Sequence, residues 1–153
     1  MVAEYLFFLA ISVLSLRDIR SYVAPGAWLL GMGGLILGLY VNPFRTLIIS
    51  ALVLWVLLEG RPAWLLLFLL HPVTFLLTPI AYGVLADQVG IGDLLVLVSI
   101  AALFPWFALL FAVLGMQLWM DWWKLAYRSG PVPLLPGIGF GFGLWLVLLA
   151  SVT

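Results

Sequence analysis

Apolar residues run along this chain in long stretches, 5–16, 26–41, 46–58, 63–85, 94–104, 106–120 and 133–151, separated by short polar breaks. Most are short for membrane spans. A helix of about 16 residues rises about 24 Å, less than the roughly 30 Å hydrocarbon core of a bilayer. The pattern predicts an all-α bundle whose helices have snorkelling ends, thin the bilayer locally or are broken. Pro25, Pro62 and Pro133 stand where the first turn of a helix tolerates proline. Pro72, Pro79 and Pro105 lie inside apolar runs and should kink or split them.

Composition sharpens this into a class. The chain is 67% hydrophobic and 8% charged, whereas soluble domains sit near half apolar and a quarter charged. The expectation is a polytopic membrane protein forming a single domain over 1–153, without a soluble appendage. The first stretch has an acid, Glu4, before it and ends in "RDIR", so it reads as a retained helix and not a cleaved signal. A net charge of zero gives no sign of nucleic-acid binding. Cysteine is absent, which excludes disulfides, thiol catalysis and cysteine zinc sites. His71 is the only histidine and cannot make a metal site unaided; beside Pro72 it reads as a donor to a freed carbonyl. "GIGFGFG" lacks a lysine and follows no strand, so it is no phosphate loop. No metal and no cofactor are therefore expected. Gly34 with Gly38, and Gly137 with Gly141, have the small-xxx-small spacing of tight helix packing, within the bundle or in a homodimer.

The basic residues then orient the chain. Arg17 and Arg20, Arg61, and Lys124 with Arg128 follow apolar stretches that alternate with the one preceding Arg45. The positive-inside rule puts their loops in the cytoplasm, with Arg45 and the N-terminus outside. Trp119, Trp122 and Trp123 beside Lys124 read as an interfacial belt. Two six-helix counts remain. If 94–120 is one helix kinked at Pro105, Asp93 lies outside and Asp18 inside. If Pro105 splits it into two short passes, an earlier stretch, 46–58 or the region of "LLHPVTFLLTP", fails to cross, and both aspartates share the cytoplasmic side.

Of the six acids, Glu4, Glu59 and Asp121 read as solvated charges at segment ends, and Asp87 as a loop acid. Asp18, in "SLRDIRSYVAPGAW", and Asp93, in "ADQVGIGDLLVLV", are different, because each borders an apolar helix. Ionisable groups at such places are functional candidates. As plain structure, Asp93 would be an N-cap, stabilised by free N–H groups and the helix dipole. Gly90 and Gly92 immediately before it allow positive φ and the close approach of another chain. Two carboxyls brought together cannot both ionise, so one keeps a proton while the other is a base. Such a pair can activate water and protonate a leaving amine, and its titration belongs to the pair.

These residues resemble a known family. "GIGD" at 90–93 is similar to the G-x-G-D motif of membrane aspartic proteases. "RDIRSYVAPG" resembles the first motif of type IV prepilin peptidases: Asp18, Ile19, Arg20 and Pro25 match in spacing, while Ala24 and Gly26 replace the family's Ile and Asn. "VPLLPGIGFG" resembles its C-terminal I-P-x-x-P with a later glycine, matched by Pro133, Pro136 and Gly141. "ALFP" is similar to archaeal members. The motifs occur in family order and span nearly the whole chain. Leu95 stands where the family usually has a lysine, and the apolar stretch before "GIGD" is additional. Without the cysteines or the length of bacterial members, the chain looks like the short archaeal preflagellin/prepilin peptidase type.

The resemblance implies a membrane aspartic endopeptidase that removes short leaders from prepilin-like or archaellin precursors. Asp18 and Asp93 would be the dyad, Gly90 and Gly92 would shape the loop, and Arg20, Pro25, Pro133 and Pro136 would flank it. It also implies two aspartates at the cytoplasmic side, hence about six transmembrane helices plus one irregular or re-entrant segment, best placed at 63–85. Non-helical backbone at depth is permitted where it lines a wet cavity. The rival readings are a non-catalytic membrane scaffold or transporter subunit, and a G-x-G-D protease cutting within transmembrane helices. The latter enzymes carry their first Asp after Tyr, and here Arg17 precedes it.

Overall fold

The computed structural model describes residues 2–21, 25–59, 72–127 and 132–153. Among them every regular element is a helix: α1 (Val2–Ser21), α2 (Pro25–Val41), α3 (Pro43–Glu59), α4 (Pro72–Leu85), α5 (Ile91–Leu103), α6 (Trp106–Tyr127) and α7 (Leu135–Val152). Arg61, Pro62, His71, Arg128 and the 63–71 part of the expected irregular segment lie outside the described residues.

Proline and polar residues set the boundaries. Asn42 precedes Pro43, and its Oδ1 accepts the Arg45 N–H at 3.4 Å, an N-cap followed by proline at the first helical position. Helix α4 is described from Pro72 onward, and Pro79 is carried inside it. The 72–85 part of the expected irregular segment is thus a regular helix, as is 46–58 within α3. Pro133 lies ahead of its helix, and Pro136 occupies the first turn of α7. Pro105 does split 94–120. The residue before a proline avoids the α region, and Phe104 is extended at φ −119°, ψ 165°. The helix therefore ends, and the Phe104 carbonyl accepts a 3.1 Å hydrogen bond from Arg45 Nη2 of α3.

The packing fixes which ends lie together. A Cβ built on Gly31 would strike Leu95, one on Gly34 would meet Ser99 at 2.5 Å, and one on Gly38 would meet Ala102 at 3.1 Å. Both number series rise together, so α2 and α5 run parallel along a seam of small residues. Ser99 Oγ ties this seam, donating to the Gly31 and Leu95 carbonyls at 2.8 and 2.7 Å. Helices α6 and α7 are antiparallel, with Gly115 against Gly137 and Gly141. Helix α7 is also antiparallel to α1, with Gly139 against Ile11 and Gly143 against Phe8. The small-xxx-small glycines thus face neighbours within the same chain. The C-terminal ends of α1 and α6 and the N-terminal ends of α2, α5 and α7 consequently meet at one end of the bundle. At the far end Phe104 packs on Phe7, Phe142 and Trp145, with ring centroids 5.1–5.9 Å apart.

The outer surface is apolar as well. On α1, Leu6, Leu9, Val13 and Leu16 face outward while Ile11, Ser15 and Asp18 face inward. Helices apolar all round belong in the core of a large protein or in a bilayer. Helix α7 is long and apolar enough to cross a membrane, while 26–41, 75–85 and 91–103 form shorter apolar helices. The expected tryptophan belt is only partly outward: Trp122 is exposed, whereas Trp123 is buried with its ring 4.4 Å from that of Tyr127.

Candidate active site

At the end where the five helix termini meet is a cavity of about 480 Å³, within the size range of small-ligand sites. Asp18 and Asp93 both line it. They come from separate helices and are within electrostatic reach of one another. The sequence places them far apart. The antiparallel packing of α1 and α2, followed by the parallel seam from α2 to α5, brings them together.

Each carboxyl is held by a backbone N–H. Asp18 sits in the last turn of α1 and is only 6% exposed. Its Oδ2 accepts the N–H of Leu135 at 3.3 Å. Leu135 is the first residue of α7, and its neighbour Leu134, at the N-cap position, supplies no side-chain cap. Asp18 thus satisfies, from another helix, one of the donors that every helix start leaves open. The "VPLLP" stretch explains why that donor is available: Pro133 and Leu134 form the cavity wall, and Pro136 starts the helix.

Asp93 is not the N-cap that the plain structural reading expects. Gly90 occupies that position, and Asp93 is third in the helix, with its carboxyl reaching back to the Gly90 N–H. This is the acidic half of a capping box. Gly90 adopts φ −71°, ψ 144°, and neither Gly90 nor Gly92 takes a positive φ. Their value is closeness instead. A Cβ on Gly90 would lie 2.9 Å from Asp93 Oδ2 and push the carboxyl away; one on Gly92 would lie 3.1 Å from Ala27 and hold α5 off α2. The positive φ belongs to Asp87, at 55°, in the turn after α4.

The structure puts Arg20 in the last turn of α1 and Pro25 at the start of α2 without describing either side chain. Leu95, in the position of the family's lysine, lies in the seam opposite Gly31 and does not line the cavity. Sequence reasoning passed over three lining residues. Trp28 follows Pro25 by one helical turn, and Asp87 and Gln88 share the short loop that leads to "GIGD". That proximity was the available signal. Among the described residues no three of His, Asp and Glu gather as a metal would require. The arrangement offers two helix-borne carboxyls, Asp18 and Asp93, facing one cavity, with the loop carboxyl of Asp87 in its wall. No family model matches the chain, and neither a curated protein nor a solved structure matches it.

Proposed function

We propose that this protein is a multi-pass membrane aspartic endopeptidase that removes short N-terminal leaders from prepilin-like or archaellin precursors. The observation that carries this reading is the shared cavity: Asp18 of α1 and Asp93 of α5 both line it. In the proposed reaction one carboxyl is ionised and the other protonated. The ionised group takes a proton from a water held between them, and the oxygen attacks the scissile carbonyl. The protonated group gives its proton to the departing amine, so that water is divided between the two products. Neither cofactor nor nucleic acid takes part.

The membrane arrangement follows from the same placement. Arg17 and Lys124 lie on helices that end beside the cavity, and Arg45 lies at the far end. The positive-inside rule then sets the dyad at the cytoplasmic face, with the N-terminus outside. Helix α5 has 13 residues and rises about 20 Å, so the bilayer thins beside it and the leader reaches the cavity from water. Reporter fusions within 42–45 and within 124–127 should report opposite sides; the same side for both would remove this topology.

One specific observation favours a second, non-catalytic reading, as a scaffold or transporter subunit. Each aspartate accepts a helix-start N–H, and caps of that kind stabilise by about 1 kcal/mol without chemistry. The direct test is to incubate membranes containing the protein with a leader-bearing prepilin and sequence the N-terminus of the product. A single new N-terminus just after the leader supports the peptidase; an intact precursor supports the scaffold. Cleavage should persist in EDTA, because the proposed reaction runs on water and two carboxyls, and no three ligating side chains gather among the described residues. Loss in EDTA with recovery on adding zinc would point to another enzyme class.

A further inference from the structure

Two apolar grooves open on the sides of the bundle. One, of about 450 Å³, lies between α1 and α7 and includes Tyr5, Phe8 and Val147; it shares no residue with the dyad cavity. The other, of about 270 Å³, lies between α4 and α6, with Pro79, Val113, Met116 and Gln117 in its walls. It shares Gln88 and Val89 with the dyad cavity. These two residues are pinned where the loop folds back on α4: the Gly83 carbonyl accepts the N–H of Gln88 at 2.8 Å and of Val89 at 3.1 Å. Val89 lies directly over Gly83, where a Cβ would meet it at 2.8 Å. The strap is therefore a fixed sill, with the carboxyls on one side and an apolar trough on the other.

We infer that the trough between α4 and α6 holds the apolar helix of the substrate, which enters the dyad cavity across Gln88 and Val89. This rests on the peptidase reading. A leader-bearing precursor has its scissile peptide next to an apolar helix, and both parts must be bound together. Continuity with the cavity selects this trough over the larger one, because a helix lying between α1 and α7 would share no boundary with the carboxyls. Both α4 and α6 run toward the dyad end, so a helix lying along them carries its terminal peptide to the sill. The methionine in the wall suits an apolar partner of variable shape, since its thioether chain adapts to irregular surfaces. Gln117, exposed and bonded to Asp121 at 3.2 Å, stands at the rim.

The test uses the full chain in membranes, in an Asp93→Asn background so that precursor is retained. A photoreactive phenylalanine analogue replaces Gln117 in one variant and Val147, in the other groove, in a second. A leader-bearing precursor with its apolar helix should form an adduct with the first and not the second. In the otherwise native chain, Gln117→Trp should lower the ratio of kcat/KM for that precursor to kcat/KM for a short leader peptide lacking the helix by about tenfold. An adduct only from position 147, an adduct with lipid alone at position 117, or an unchanged ratio would overturn the assignment. Failure of the two readings is separable. A chain that crosslinks at 117 but never cleaves keeps the trough and removes the peptidase; one that cleaves but crosslinks only at 147 does the reverse.

Discussion

Asp18→Asn and Asp93→Asn should each lower the rate of precursor cleavage by about a thousandfold, within the 10²–10⁴ range that positioned acid–base groups contribute. The protein should still insert and fold. Asparagine caps a helix about as well as aspartate, so Asp18→Asn keeps an oxygen for the Leu135 N–H and Asp93→Asn keeps one for Gly90. What each variant loses is an ionisable carboxyl, and with it the ability to take up or give a proton. The two groups act on one water, so the double variant should be hardly slower than either single one. Glu59→Gln, at the exposed end of α3, serves as the control and should cleave normally. Initial rates on a leader-bearing precursor, with thermal melts of the purified variants, check this. Near-normal cleavage by the Asp93→Asn protein would leave both acids as helix caps and nothing more.

The second large effect concerns how α7 is seated. Gly141→Leu should yield little folded protein. A Cβ at Gly141 would land on the Phe111 carbonyl oxygen of α6, and one at Gly115 would lie 2.5 Å from the Gly137 carbonyl oxygen. These are backbone-on-backbone contacts, with no flexible side chain to rotate aside. Ordinary overpacking costs about 1–3 kcal/mol because side chains can yield; here a whole helix must move. The reach extends to the chemistry, since α7 carries the N–H that holds Asp18. Any Gly141→Leu protein that does fold should therefore cleave slowly. Gly33→Leu is the matched control, because nothing lies within 4 Å of a Cβ there. Yield and melting temperature in detergent would separate the two, and equal values would refute the interlock.

The helical class and the ends of most helices were legible in the sequence because proline and asparagine mark boundaries by local chemistry. Asn42–Pro43 caps and starts a helix by its own geometry, and Phe104 before Pro105 cannot continue one. Pro79, by contrast, does not split the run it lies in, and α4 continues through it. The candidate aspartates were visible as acids beside apolar helices. What placed them together was not, because the α2–α5 seam depends on Gly31, Gly34 and Gly38 matching a register on another helix. Of the two reasons for the glycines before Asp93, close approach holds, since Gly92 packs against Ala27 of α2, whereas positive φ does not, because the chain turns into α5 through extended backbone at Gly90. Asp87 and Gln88 were missed because a loop's contribution to a wall depends on how it folds back, here onto the Gly83 carbonyl.

The bond between Asp18 and Leu135 spans 117 positions. A ribosome makes Asp18 long before it makes the donor, and at about 5–20 residues per second the delay is on the order of ten seconds. Throughout that interval α1 has emerged without the helix start that holds its carboxyl, and for most of it also without α5, which carries the other acid. Under the proposed function, the nascent chain would be unable to cut. Competence arrives only once residues 132–153 have entered the bundle and the far-separated parts have closed on each other. Synthesis order thus acts as a timer on the aspartate pair, and for the proposed peptidase it would keep the two acids apart while unfinished polypeptide, its own included, is crowded at the site of insertion.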